Sequence, residues 1–136
     1  MFKKLSPEIF LGYLIDHIRE KTSIACYDSP ENKQSPLYSV ELTGIEPANT
    51  KTMYIDVYNV NIHSITAPIE PHSFSNTLKM VGLLNEALTD DLVLPDPFYV
   101  YDQSDNGLQV LKKDESNEGH AVESYSFKVC YGLRCK

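Results

Sequence analysis

Apolar and polar positions follow two periods along this chain, and the changes of period mark its elements. Leu11, Leu14, Ile15 and Ile18 recur at i, i+3, i+4 and i+7, while Asp16, Arg19 and Glu20 take the other side. That spacing predicts an amphipathic helix over residues 6–21. Ser6-Pro7-Glu8 supplies its start: a capping hydroxyl, a proline where the first turn has no use for an N–H, and an acid at the positive end of the dipole. Leu78, Val81, Leu84 and Leu88 form a second stripe, predicting a helix over residues 75–88 with Ser75 or Ser73 as its cap.

Between the helices the period falls to two. Residues 24–27 read as a short strand, and Asp28-Ser29-Pro30-Glu31-Asn32 as a turn. Tyr38, Val40 and Leu42 alternate with Ser39 and Glu41, a half-buried strand over 37–43. The run MYIDVYNVNIHSI, residues 53–65, is then free of Gly and Pro. At about 3.3 Å per residue it spans about 40 Å, longer than the common strand of about 5–6 residues, so it is expected to project beyond the body of the fold. Its apolar parity changes, from Met53, Ile55 and Val57 to Tyr58, Val60 and Ile62, which predicts a bulge or an outer half with a new partner. Pro68 and Pro71 make residues 66–73 a stiff, extended connector.

After the second helix, FYVYD (98–102) reads as a strand, Asp105-Asn106-Gly107 as a hairpin turn, and LQVLK (108–112) as the returning strand. Asn117-Glu118-Gly119 reads as the next turn, and the chain closes on alternating residues 124–131, with Tyr125, Phe127, Val129 and Tyr131 on one face. The expected fold is α+β: two amphipathic helices packed on a mostly antiparallel sheet, with one long projecting strand.

Composition adds bounds. The 136 residues suit one domain over 1–136, and 42% hydrophobic content with nine Tyr and no Trp favours a β-rich core over disorder. A net charge of −7 argues against sequence-independent binding to a nucleic-acid backbone, which requires clustered Lys and Arg. Asp16, His17, Arg19 and Glu20 interrupt the first apolar stretch, so no membrane role is expected, and the start lacks the pattern of a secretory signal. Synthesis in a reducing cytosol is the corresponding expectation, consistent with an odd number of cysteines, three, without paired metal spacing.

The search for reactive chemistry leaves little. His17, His63, His72 and His120 lack metal-ligand spacing, although His63 and His72 flank the connector and could meet at a subunit boundary. Cys130 and Cys135 lie near cationic residues but have no histidine close in sequence. Glu41 and Asp56 could face each other across adjacent strands, which solvent-facing positions explain more simply. No phosphate loop is present. The expectation is no catalytic residues, no cofactor and no required metal.

Taken in order, SPEIFLGYLIDHIRE, PLYSVEL, MYIDVYNVNIHSI, SNTLKMVGLLNEAL and FKVCYGLR resemble, over nearly the whole chain, the tail terminator or tail-completion proteins of long-tailed bacteriophages and prophages. The resemblance implies a structural protein that caps the tail tube as a ring, commonly a hexamer, stops polymerisation and provides the head-joining surface. Its implied partners are copies of itself, the tail tube protein and a head-completion or neck protein, in a virion tail made in the bacterial cytoplasm. DNA would pass its lumen without sequence-specific binding, helped by an acidic wall. The residues expected at subunit or tube contacts are Tyr58, Val60, Ile62, His63, Ile65, Ile69 and Phe74, on the outer half of the long strand and the connector. A small cytosolic enzyme or ligand-binding domain is the alternative, and a regulator that binds a host protein through the long strand is a third reading.

Overall fold

A computed structural model describes residues 2–31, 33–68 and 73–134. Its elements are α1 (Pro7–Thr22), β1 (Cys26–Tyr27), β2 (Leu37–Pro47), β3 (Met53–Pro68), α2 (Ser75–Ala87), β4 (Tyr99–Lys113) and β5 (Glu118–Leu133). The five strands form one sheet in the order β1-β2-β3-β5-β4, antiparallel except for the short parallel β1–β2 pair. Both helices lie on the same face, α1 over β1 and β2, α2 over β3 and β5. The fold is α+β, as the periodicities predict.

The long strand does not project. β3 occupies the middle of the sheet, paired with β2 from Pro47 to Leu37 and with β5 from Leu133 to Glu118. Its length is matched by the 16 residues of β5, so no outer half is left without partners. The parity change has a correspondingly local cause: Tyr58, Val60 and Ile62 face the helices, whereas Ile55 and Ile65 face the other side and are buried there too. Irregularities in the ladder fall between Tyr54 and Ile55 and, in β2, between Leu42 and Gly44.

The expected hairpin at Asp105-Asn106-Gly107 is also corrected. β4 continues through these residues as one 15-residue strand, because Gly107 at φ +99° and the Asp105 Oδ1 that accepts its N–H build a bulge rather than a reversal. The reversal comes at 114–117 instead. There Asp114 Oδ1 accepts the N–H groups of Ser116 and Glu118, and Asn117 takes a positive φ of 65°.

The core is packed between helices and sheet around Phe10, Leu14, Ile18, Tyr38, Tyr58, Val60, Ile62, Leu84 and Phe127. Burying side chains of this kind contributes about 1.5–3 kcal/mol each. Phe10 stacks on Tyr58 at 4.4 Å and meets Phe127 edge-on at 5.4 Å. Two tyrosines bury their rings by satisfying their hydroxyls: Tyr38 donates to the Met80 carbonyl at 2.5 Å and Tyr58 to the Leu5 carbonyl at 2.7 Å. On α2 the buried stripe is Thr77, Met80, Val81, Leu84 and Ala87, and Leu78 turns outward. On α1, Leu11 and Ile15 are half-buried beside the core.

Candidate assembly interface

Three surfaces follow from this layout. The first is the sheet face opposite the helices, where β2, β3, β5 and β4 expose alternate residues. A row of side chains crosses it: Asn106 Nδ2 donates to Ser126 Oγ at 2.8 Å, Ser126 donates to Asn59 Oδ1 at 2.7 Å, and Asn59 Nδ2 donates to Glu46 Oε1 at 3.0 Å. A second row joins Glu41 Oε1 to His63 Nε2 at 3.0 Å and His63 Nδ1 to His120 Nε2 at 2.8 Å. Burial, followed by the nearby His63 and Lys112, holds the His120 pKa below its ordinary value. Glu41, Glu46, Asp102 and Glu118 outnumber Lys112 and Lys128 on this face, so the wall is polar with a small excess of acid.

The second surface is the outer half of β4. Neither helix approaches β4, although Gln103 ties the loop after α2 to its first half by donating to the Leu88 carbonyl at 2.7 Å and accepting from the Leu92 N–H at 3.1 Å. Beyond Gln103 the helix-side face of the strand is uncovered among the described residues, and Leu108 and Leu111 are 44% and 37% exposed there. Glu123 lies beside this strip but is itself buried, against Tyr125, Asn85 and Asp105. Tyr125 donates to its Oε2 at 2.7 Å, yet burial pushes the Glu123 carboxyl up to about 7.

The third surface is the opposite edge. β1 covers β2 only at Tyr38 and Ser39, so β2 is an open edge from Val40 to Pro47 among the described residues. Its helix-side residues are Leu42, half-buried, and Ile45, 39% exposed. Leu11 and Ile15 of α1 are, like Leu42, partly buried against the core.

The residues expected at contacts are distributed differently from expectation. Tyr58, Val60 and Ile62 are at most 1% exposed in the core, so their side chains are not available as a surface. Ile65 is buried on the open face, His63 is half-buried in the row just described, and Phe74 is half-buried before α2. Ile69 and His72 lie outside the described residues. His63 meets His120, a pairing that sequence spacing does not reveal. Glu41 and Asp56 stand on opposite faces: Asp56 is buried under the N-terminal segment and pairs with Lys4 at 3.5 Å. Cys26 is buried, which pushes its thiol up to about 12, and Cys130 is buried as well. Among the described residues no group of three or more His, Cys, Asp and Glu is placed to hold a metal ion, and no helix is long and apolar enough to cross a membrane.

Two comparisons bear on this arrangement. Residues 1–136 match the family model of phage tail terminators described as "Putative tail termination protein". The chain belongs to this family. It is thereby a phage structural protein. A solved structure titled "Virion of native gene transfer agent (GTA) particle" contains a chain of the same fold, with a TM-score of 0.64 and 18% identity, over 83% of this chain and 84% of that one. No curated protein matches.

The uncovered strip on β4 is what sequence reading missed. Its signal lies in Leu108 and Leu111, but the Asp-Asn-Gly triplet reads as a break between two strands.

Proposed function

We propose that this chain closes the end of a phage or prophage tail tube as a ring, stops the tube from growing and presents the surface to which a filled head is joined. Its partners in this reading are further copies of itself, hexameric as the family resemblance implies, the tail tube protein and a head-completion or neck protein. The protein acts by contact rather than by chemistry, as a virion tail component made in the bacterial cytoplasm.

The observation that carries the reading is the family match over residues 1–136. The two-sided sheet supports it. One face is closed by helices and core, while the other has its polar side chains already bonded to one another across strands. Such a face suits the wall of a lumen past which DNA moves, because donors already engaged and a small excess of acid offer a polyanion few counterion-releasing contacts. Avoided adhesion then comes from satisfied polarity together with the expected acidity of the wall.

Deleting the gene from the phage or prophage that encodes it should yield tails of uncontrolled length that carry no heads, seen by electron microscopy, and supplying the gene in trans should restore both. Tails of uniform length joined to heads in its absence would overturn the reading.

A further inference from the structure

The two open edges of the sheet are different surfaces on opposite sides of one molecule, and their side chains are complementary. We infer that residues 108–113 of β4 pair with residues 40–45 of β2 in a second copy of this chain, antiparallel and in one particular register, so that the sheet continues from subunit to subunit. The inference deepens the ring reading and rests on it.

Direction comes first. β2 is antiparallel to β3, β3 to β5 and β5 to β4, so β4 runs against β2 within one chain. Rotation about an axis along the strands preserves direction, so the second copy's β2 meets β4 antiparallel, continuing the existing ladder. The contact is heterologous, which lets a rotation close it into a ring.

Register follows from charge and parity. Without stagger, Asp102 would lie level with Glu46, since Asp102 pairs with Lys128, Lys128 with Val57 and Val57 with Glu46. Like charges directly opposite destabilise a strand pair. Lys112 is level with Leu37 through His120 and Ile65. Sliding it four residues along β2, from Leu37 to Glu41, places Lys112 opposite an acid on the same open face. The same shift sets Leu111 opposite Leu42 and Leu108 opposite Ile45, all on the helix-side face. It also carries Asp102 past the end of β2, away from Glu46, and sets Asp105 level with Pro47, the last residue of β2. An even shift keeps every side chain on its own face, and stagger of this kind accompanies closure of a sheet around an axis.

Irregularities agree as well. The ladder of β4 slips between Leu108 and Val110, and that of β2 between Leu42 and Gly44, so the extra residues Gln109 and Thr43 fall within the same paired stretch. Bulges ordinarily protect an edge from indiscriminate pairing. Here they leave a partner that carries a matching bulge.

The test is disulfide trapping in the full chain carrying Cys135→Ser. Leu108→Cys with Ile45→Cys probes the proposed register, and Gln103→Cys with Ile45→Cys probes the unstaggered one, in which those two residues are level. Both pairs are oxidised in concentrated solution and in isolated tails, then read on non-reducing gels. A ladder of covalent multimers from the first pair and none from the second supports the inference. Multimers from the second pair alone, or from neither while light scattering or tail composition reports an assembled ring, overturn this interface and leave the tail-closing role standing. A chain that stays monomeric and is absent from tails overturns both. Leu108→Glu serves as a second probe: unchanged circular dichroism with multimers reduced at least tenfold is expected, and undiminished multimers contradict the contact.

Discussion

The hydroxyls of Thr66 on β3 and Thr77 on α2 share a hydrogen bond of 2.9 Å, directly over the backbone of Gly119 on β5. Both hydroxyls are buried, and the start of α2 can rest on the sheet only because Gly119 carries no side chain. A Cβ there would press into both threonine oxygens.

Gly119→Ala should therefore destabilise the fold by about 1–3 kcal/mol, the usual cost of overpacking. Urea unfolding measures it. A loss below about 0.3 kcal/mol would mean that the start of α2 is not seated as described.

Truncation in the core should cost more. Leu14→Ala and Leu84→Ala remove side chains that are fully buried, and each should cost about 2–5 kcal/mol. Losses under about 0.5 kcal/mol at both sites would contradict the packing of helices on sheet.

Ile62 and Leu108 separate core from surface. Ile62→Asp would bury a carboxylate without a partner and should abolish folding, whereas Leu108→Asp should leave far-ultraviolet circular dichroism and the melting temperature nearly unchanged. A folded, stable Ile62→Asp variant would show that this residue faces solvent.

Glu123 gives a pH dependence with a definite sign. Its folded-state pKa of about 7 lies above the ordinary 4.5, chiefly through burial, with the neighbouring Asp105 carboxyl acting in the same direction and the Tyr125 hydroxyl opposing it. Between those values the folded chain holds more protons than the unfolded one. The contribution of Glu123 to stability is thus fully present below about 4.5 and is lost as pH rises through about 7. Urea unfolding at about pH 5 and pH 8 should show this loss, on the order of 1–3 kcal/mol, in the native chain and not in Glu123→Gln. An equal loss in the variant would assign the dependence to another group.

Much of this fold is legible in the sequence where one residue type has one job. The stripe of α1 and the alternation Tyr125, Phe127, Val129, Tyr131 each predict the element that forms, because burial on a single face imposes a single period, whereas Ser6 and Pro7 stand at the start of α1 without the expected cap, the Ser6 hydroxyl donating to Glu8 Oε1 at 3.2 Å. The long strand shows the limit. Thirteen residues with apolar side chains of both parities fit a strand with two new partners or one buried on both faces, and only the lengths of β2 and β5 decide for the second. Asp105-Asn106-Gly107 shows another. Gly107 and the Asp105 carboxylate would serve a hairpin and a bulge equally well, so the triplet reports a positive φ without saying whether the chain reverses. The candidate surfaces depend on which strand is central and which is an edge, a property of pairing rather than of any local pattern.

The most direct test of the tail-closing role uses purified tail tube protein from the same phage or prophage, polymerising in the presence of increasing amounts of this chain. Electron microscopy measures tube length and the fraction of ends carrying added density. Mean length should fall as the ratio of this chain to tube protein rises, with density at one end of each shortened tube. Tubes of unchanged length with bare ends, at ratios well above one ring per tube, would contradict it.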